Sequence, residues 1–391
     1  MNPGAYKQIT KALSRVLRTP PYLIVFVSDS CWMKCRHCWF NEQWKEDQLT
    51  HSALTFDEYS RMADSIDRVI FLSLTGGEAF QRQDLVELVT MFARKTRLSR
   101  YQIPTSGFRP DMIVSTAERL LQANPSIPFR VDVSMDGTED VHETIRGVSG
   151  GYKRLVETVR GLNELREHYP NLDVGIITTL STYNQDCIED IAATAERINP
   201  RGEWLFNVVR GVSRDPRASG VDPRVYRQVH ELIQRKIETG HWSGHQGHLT
   251  AGWLSAKNAT RRKIIAQTLE GTYDGGGCAA GALAGVIYSD GMVAPCETLN
   301  ANFGNIREYA CNLARIWNSP RADEARNRIQ EMRCHCTHEC FLSVSMLIQP
   351  QRWPDIVRER IRLARGKSRT SSNSPALPVA PAAAAVQKAK P

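Results

Sequence analysis

No run of apolar residues in this chain is long. The longest clean stretch is Tyr22 to Val27, far short of the roughly 20 residues that a membrane helix needs. No apolar signal-peptide core follows the N-terminus, so export is not expected and the cytosol is the default compartment. Acidic residues are missing from both ends. Residues 1–20 carry Lys7, Lys11, Arg15 and Arg18, and residues 366–391 carry Lys367, Arg369, Lys388 and Lys390. These ends account for the whole formal charge of +8. The body between them is balanced, so neither specific nucleic-acid recognition nor membrane binding is expected. Large apolar side chains are scarce from Lys367 onward, where Ser, Pro and Ala dominate. Residues 366–391 are therefore expected to be disordered, because they cannot offset the entropy of ordering.

What is present is a chain of 391 residues with 41% hydrophobic side chains, enough for a large core and two or three domains. Between residues 20 and 210, β-rich runs alternate with amphipathic stretches. The candidate strands are Tyr22–Val27, Val69–Ser73, Arg100–Pro104, Phe129–Ser134, Asp173–Thr179 and Trp204–Val209. Helical stretches include Phe56–Asp67, Leu85–Thr96 and Leu155–Glu167, and Thr55 with Glu58 forms a capping-box signal. Six such units imply an α/β fold, a parallel sheet curved into a partial (β/α)6 TIM-like barrel. Chemistry in such folds sits at the C-terminal strand ends. The motifs obey that rule: Cys31–Cys38, Thr75–Glu78, Thr105–Gly107, Ser134–Gly137 and Arg210–Gly211 each follow a candidate strand.

Ten cysteines in a reducing compartment are not read as disulfides. Eight are clustered, as Cys31, Cys35 and Cys38 and then as Cys278, Cys296, Cys334, Cys336 and Cys340. Such clustering points to metal or iron–sulfur ligation. The C-x3-C-x2-C spacing of the first group lets three thiolates hold three irons of a cubane and leaves the fourth iron open. Zinc is the weaker alternative, since a structural site wants four ligands and His37 is badly placed between two cysteines.

With these motifs in this order, the chain resembles the radical S-adenosylmethionine (SAM) superfamily. The resemblance rests on the cysteine loop after the first strand and on Gly76-Gly77-Glu78. It implies that Cys31, Cys35 and Cys38 hold a [4Fe-4S] cluster and that Gly76, Gly77 and Glu78 bind the amino group of SAM. Glycines there let backbone carbonyls approach closely. His37 stands where the family usually has an aromatic residue and is expected beside the cofactor. Ser134 and Asp136 look like a ribose-contacting strand end, and Arg146 resembles an arginine that reaches the SAM carboxylate. Thr105-Ser106-Gly107 departs from the family's usual Thr-Asn-Gly, which leaves its direct role open. Val174–Ile177 offers an apolar surface for adenine, or equally a packed core.

The second group includes Gly291-x4-Cys296 and a hairpin turn at Asp290-Gly291. It resembles the SPASM/Twitch extensions that hold auxiliary iron–sulfur clusters, although Cys334-x-Cys336-x3-Cys340 is compressed and no cysteine follows Cys340. Too few thiols remain for two fully ligated cubanes. One auxiliary [4Fe-4S] cluster is expected, held by Cys278, Cys296, Cys340 and either Cys334 or Cys336, with zinc as the alternative. Cys187 sits near a helix start that could lower its pKa. Cys311 is expected in the core. His241, His245 and His248 are expected on a loop.

The expected organisation is therefore an N-terminal basic helix (1–20), a radical SAM core barrel (21–211), a helical connector (212–277), a small C-terminal α+β auxiliary-cluster domain (278–345), a C-terminal helix (346–365) and the tail. The resemblance implies reductive cleavage of SAM to a 5′-deoxyadenosyl radical, which abstracts hydrogen from a substrate. That substrate is a peptide or natural product in the first reading and a sugar or cyclitol in the second. A flavodoxin or ferredoxin would supply the electron. A non-catalytic iron–sulfur protein is the reading from another class.

Overall fold

The computed structural model describes residues 3–40, 52–238, 251–273 and 275–371. His241, His245 and His248 and the tail beyond residue 371 lie outside the described residues. Helix α1 (Pro3–Leu17) leads into β1 (Tyr22–Ser28), α2 (Phe56–Asp64), β2 (Phe71–Gly76), α3 (Leu85–Lys95), β3 (Tyr101–Thr105) and α4 (Pro110–Ala123). Next come β4 (Phe129–Ser134), α5 (Glu139–Arg146), α6 (Gly151–His168), β5 (Leu172–Leu180), α7 (Ile188–Ile198) and β6 (Glu203–Val208). Two long helices follow, α8 (Pro223–Glu238) and α9 (Ala251–Leu269). Short strands β7 (Ala284–Ile287), β8 (Met292–Ala294) and β9 (Gly304–Asn305) precede α10 (Leu313–Trp317), α11 (Pro320–Glu331), α12 (Glu339–Ser345) and α13 (Trp353–Ser371).

The strands form one open sheet in the order β6-β5-β4-β3-β2-β1-β7-β8-β9, with β1 to β6 all parallel. The expected partial barrel is what forms. Strand β1 is buried along its central five residues, as a parallel strand covered on both faces must be. The capping box at α2 is present: Thr55 Oγ1 accepts from Glu58 N, and Glu58 Oε2 accepts from Thr55 N. Leu313, Ile316 and Trp317 are fully buried and Cys311 is nearly so, which places Cys311 in the core as expected.

The second cysteine region is not walled off from the barrel. Strand β7 pairs parallel to β1, from Tyr22 with Ala284 to Val25 with Ile287, and β8 and β9 add antiparallel strands beyond it. Arg307, after β9, grips the Glu58 carboxylate through Nε at 2.6 Å and Nη2 at 3.0 Å. A charge-assisted, two-point bond of this kind is geometrically specific. Some boundaries differ from expectation, and β2 runs over Phe71–Gly76 instead of Val69–Ser73. Within the connector, the sequence places a helix near Arg261–Leu269, and α9 begins at Ala251. Helix α13 begins at Trp353 and continues to Ser371, so the first residues expected to be disordered, 366–371, are helical.

Candidate active site

The cysteine loop leaves β1 and is tied down at both ends of its span. Lys34 N and Arg36 N donate to Arg146 O and Ile145 O at the end of α5, at 3.0 and 2.8 Å. Arg214 N and Asp215 N, beyond β6, donate to Cys38 O and Arg36 O at 2.9 and 2.8 Å. These bonds present Cys31, Cys35 and Cys38 to one cavity of about 230 Å³. Gly76, Gly77, Thr105, Ser106, Ser134 and Arg146 border the same cavity. Burial pushes the Cys31 thiol up to about 12 and the Cys35 thiol up to about 11. Both are therefore neutral thiols until a cation displaces their protons.

Gly76 and Gly77 are required by sterics. A Cβ on Gly76, whose φ is 135°, would sit 2.2 Å from Ser28 O, and one on Gly77 would sit 2.3 Å from Ser30 O. Gly77 N and Glu78 N in turn donate to Ser28 O and Ser30 O. The turn is thus zipped to the segment that enters the cysteine loop. The Glu78 carboxylate is 2% exposed and points at the end of β3. It accepts from Ser106 N, Ser106 Oγ and Thr105 Oγ1 at 2.9, 2.7 and 3.1 Å. The variant Thr-Ser-Gly sequence therefore has a role, to hold Glu78, and it leaves the glycine backbone to face the cavity.

Ser134 borders the cavity, whereas Asp136 lies behind it, fully buried. Asp136 Oδ1 accepts from Thr179 N at 2.8 Å, and Oδ2 lies 2.6 Å from Arg146 Nε in an ion pair. Burial alone would raise this carboxyl, but Arg146 and the two neighbouring histidines hold it below its ordinary value. Arg146 also reaches Cys35 Sγ from Nη1 at 3.6 Å. Asp136 thus organises the wall, with Arg146 spanning from it to the cysteine loop. His37 is buried and lowered to about 4 by desolvation, with Asp136 opposing. It is neutral, and its Nδ1 is buried without a partner. Of β5, Thr179 reaches the cavity, while Val174 and Ile176 are core.

The second thiol set assembles from distant segments. Cys278 and Cys334 share a hydrogen bond, which lowers Cys334 and raises Cys278. Cys336 and Cys296 lie close enough to feel Cys334. Cys340 turns elsewhere: the Tyr22 hydroxyl bonds its sulfur, and Arg210 and Glu297 are its charged neighbours. Among the described residues no three side chains are already closed to metal-holding geometry. The donor chemistry nonetheless suits iron–sulfur groups at both sets: soft thiols throughout, and at the first set a glycine cradle and the unpartnered His37 Nδ1 beside them.

Cys187 caps α7 and donates to Asn184 O at 3.4 Å. Its pKa is raised, by burial and then by Asp190 and Asp186, so the expected lowering at the helix start is outweighed by burial first and by those carboxylates second. It does not border the cavity. Three other functional neighbours escaped the motif reading. Trp39 and Phe40 line the cavity just after the cysteine loop, and Glu297 lines it just after Cys296. An acidic residue directly following a cluster cysteine was the available signal for Glu297.

Comparison with known proteins agrees with this geometry. The radical SAM superfamily model matches residues 25–195, and the model of an iron–sulfur cluster-binding domain, SPASM, matches residues 278–341. The chain is similar to the sporulation killing factor maturation protein SkfB of Bacillus subtilis, 25% identical over 240 residues, covering 61% of this chain and 51% of that one. It is also 25% identical over 301 residues to the AdoMet-dependent heme synthase of Nitratidesulfovibrio vulgaris, covering 72% and 74%. The match to the first of these spans about half of that relative's length. In fold it resembles Streptococcus suis SuiB bound to precursor peptide SuiA, with a TM-score of 0.54, 15% identity, and coverage of 82% and 70%. The two domains imply a [4Fe-4S] cluster that binds SAM, and auxiliary iron–sulfur clusters. With its thiol loop, glycine cradle and second thiol set each in place, the chain belongs to the radical SAM superfamily and carries a C-terminal SPASM domain.

Proposed function

We propose that this protein is a radical SAM maturase of a peptide or peptide-derived natural product, working in the cytosol with a flavodoxin- or ferredoxin-like reductant. The observation that carries the catalytic part is the single cavity bordered by Cys31, Cys35, Cys38, Gly76 and Gly77. With cluster and SAM bound, the chemistry supplied is one-electron cleavage of the sulfonium to methionine and a 5′-deoxyadenosyl radical, which takes a hydrogen atom from the substrate.

The chain's own residues orient and enclose. Cys31, Cys35 and Cys38 would leave one iron open to SAM. The backbone of Gly76 and Gly77 would accept from its ammonium, with Glu78 bracing the turn from behind. Ser134 would meet the ribose, and Arg146, fixed by Asp136, would sit beside the carboxylate. Phe26, Trp39, Phe40 and Val209 give the cavity apolar walls, which exclude water from a reactive radical. One auxiliary cluster would be held by Cys278, Cys296, Cys334 and Cys336, with Cys340 in reserve as the fifth thiol. SkfB, named as a maturation protein, supports the peptide reading. A second reading, a heme-related small molecule, is favoured by the heme synthase, whose match covers 72% of this chain.

The test is SAM cleavage by anaerobically reconstituted protein with dithionite. The expected result is 5′-deoxyadenosine from the wild type and none from the Cys31/Cys35/Cys38→Ala protein. Absence of product from wild type with intact clusters, with and without a candidate precursor peptide, would favour a non-catalytic iron–sulfur role.

A further inference from the structure

Three residues that the SAM motifs do not use meet between the cavity and the second thiol set. Arg210 follows β6 and borders the cavity. Glu297 is the residue after Cys296, and among the described residues of 278–345 it alone lines the cavity. His338 lies between Cys336 and Cys340. Arg210 Nη2 donates to Glu297 Oε2 at 3.0 Å, and His338 Nε2 meets the same oxygen at 2.6 Å. The side chains of Arg210, Glu297 and His338 are 20%, 6% and 2% exposed.

Ions this deep cost several kcal/mol each to desolvate, and a buried pair is weak evidence for stability. A packed apolar trio would close the same space at less cost. The arrangement makes sense if the charge itself is used. Two polar atoms of the network, Arg210 Nε and His338 Nδ1, are buried without partners, so its bonding is incomplete. Arg210 is also felt electrostatically at Cys340 and Cys336.

We propose that Arg210, Glu297 and His338 form a coupling element, which holds the auxiliary ligand segments against the substrate cavity and sets the auxiliary cluster's reduction potential through the Arg210–Glu297 charge pair. The proposal rests on the reading that the second thiol set carries a cluster. A nearby cation stabilises the more negative, reduced state and a nearby anion opposes it, and low dielectric magnifies both effects. Because Arg210 and Glu297 also face the cavity, a polar or charged substrate group would alter the same field. Arg210 and Glu297 are thus positioning residues for a redox centre, with one side toward substrate.

The test uses full-length protein with Cys31, Cys35 and Cys38 all replaced by Ala, so that auxiliary iron alone remains. Iron content and midpoint potential, the latter by EPR-monitored titration, are measured for this parent and with Arg210→Lys, Arg210→Met and Glu297→Gln added. Iron content is expected to be equal in all. The midpoint should fall in Arg210→Met, rise in Glu297→Gln and stay near the parent in Arg210→Lys. Full iron with unmoved midpoints overturns the coupling. So do equal shifts in the Lys and Met variants, and so does a shift of one sign accompanied by iron loss, which marks a merely structural role. A parent that holds no iron overturns the auxiliary-cluster reading, and the coupling with it.

Discussion

The two thiol sets are built in opposite ways. The first comes from eight consecutive residues, Cys31 to Cys38, clamped by four backbone hydrogen bonds to α5 and to the segment after β6. The second is drawn from three segments spread over residues 278–340, before β7, after β8, and from the link after α11 into the first turn of α12. A local loop carries its geometry in its spacing, so little else needs to be known to place its sulfurs. A dispersed set depends on sheet pairing, on the Arg307–Glu58 clamp and on how α11 and α12 pack. Spacing alone therefore does not fix which of its members ligate. Cys340 shows the difference: its position in the pattern suggests a ligand, and its neighbours in the fold are Tyr22, Arg210 and Glu297.

The largest effect that would break this comparison is on iron. Loss of Cys336, gathered with Cys334 and Cys296, should remove the auxiliary cluster, roughly half of the protein's iron if both centres are cubanes. Cys340→Ala should keep that iron. Iron and sulfide analysis of the two variants decides the matter: equal loss in both would return Cys340 to the ligand set and make the dispersed site as readable as the local one.

A second, smaller effect probes how rigid the local site is. Gly77→Ala places a Cβ against Ser30 O and beside Cys31 Cβ, so the turn and the cysteine loop must part. A misplacement near 1 Å costs on the order of 10²-fold in rate. That loss is expected in kcat/KM for SAM cleavage, with iron content retained. A variant with wild-type kinetics would mean that the cradle yields, and that the clamp bonds to α5 do not define the site.

Much of the local half was legible from residues alone. All six barrel strands form in the expected order, with β2 shifted two to three residues toward the C-terminus, and the capping box and the cysteine loop stand where motif order put them. The direction in which side chains spend their bonds was not legible. Glu78 faces Ser106 rather than the cavity, and Asp136 serves Arg146 and Thr179. Thr105 lies 27 residues from Glu78 and Thr179 lies 43 from Asp136, while Arg146 lies one short helix beyond Asp136. Glu297 lies 87 residues from Arg210 and 41 from His338. No window-based pattern joins them, and only the continuation of the sheet from β1 into β7 brings them together.

That continuation supplies the last and smallest test, aimed at the clamp that joins the two halves. Glu58 is held down to about 2, chiefly by its hydrogen bonds to Arg307, against an ordinary value of 4.5. A carboxyl lowered on folding contributes stability that is complete above its unfolded value and is lost as pH falls through the folded one. Glu58→Gln should therefore cost about 1 kcal/mol near neutrality, the scale of a well-formed, partly exposed pair. Its difference from wild type in denaturant unfolding should shrink between pH 5 and pH 2. Arg307→Met should behave alike, and the double variant should be no worse than either single one. If there is no gap at neutral pH, Glu58 is acting through its cap on α2 alone, a role that glutamine also fills. The SPASM strands would then be held to the barrel by the β1–β7 ladder without the clamp, and the dispersed thiol set would depend on sheet pairing more than on charge.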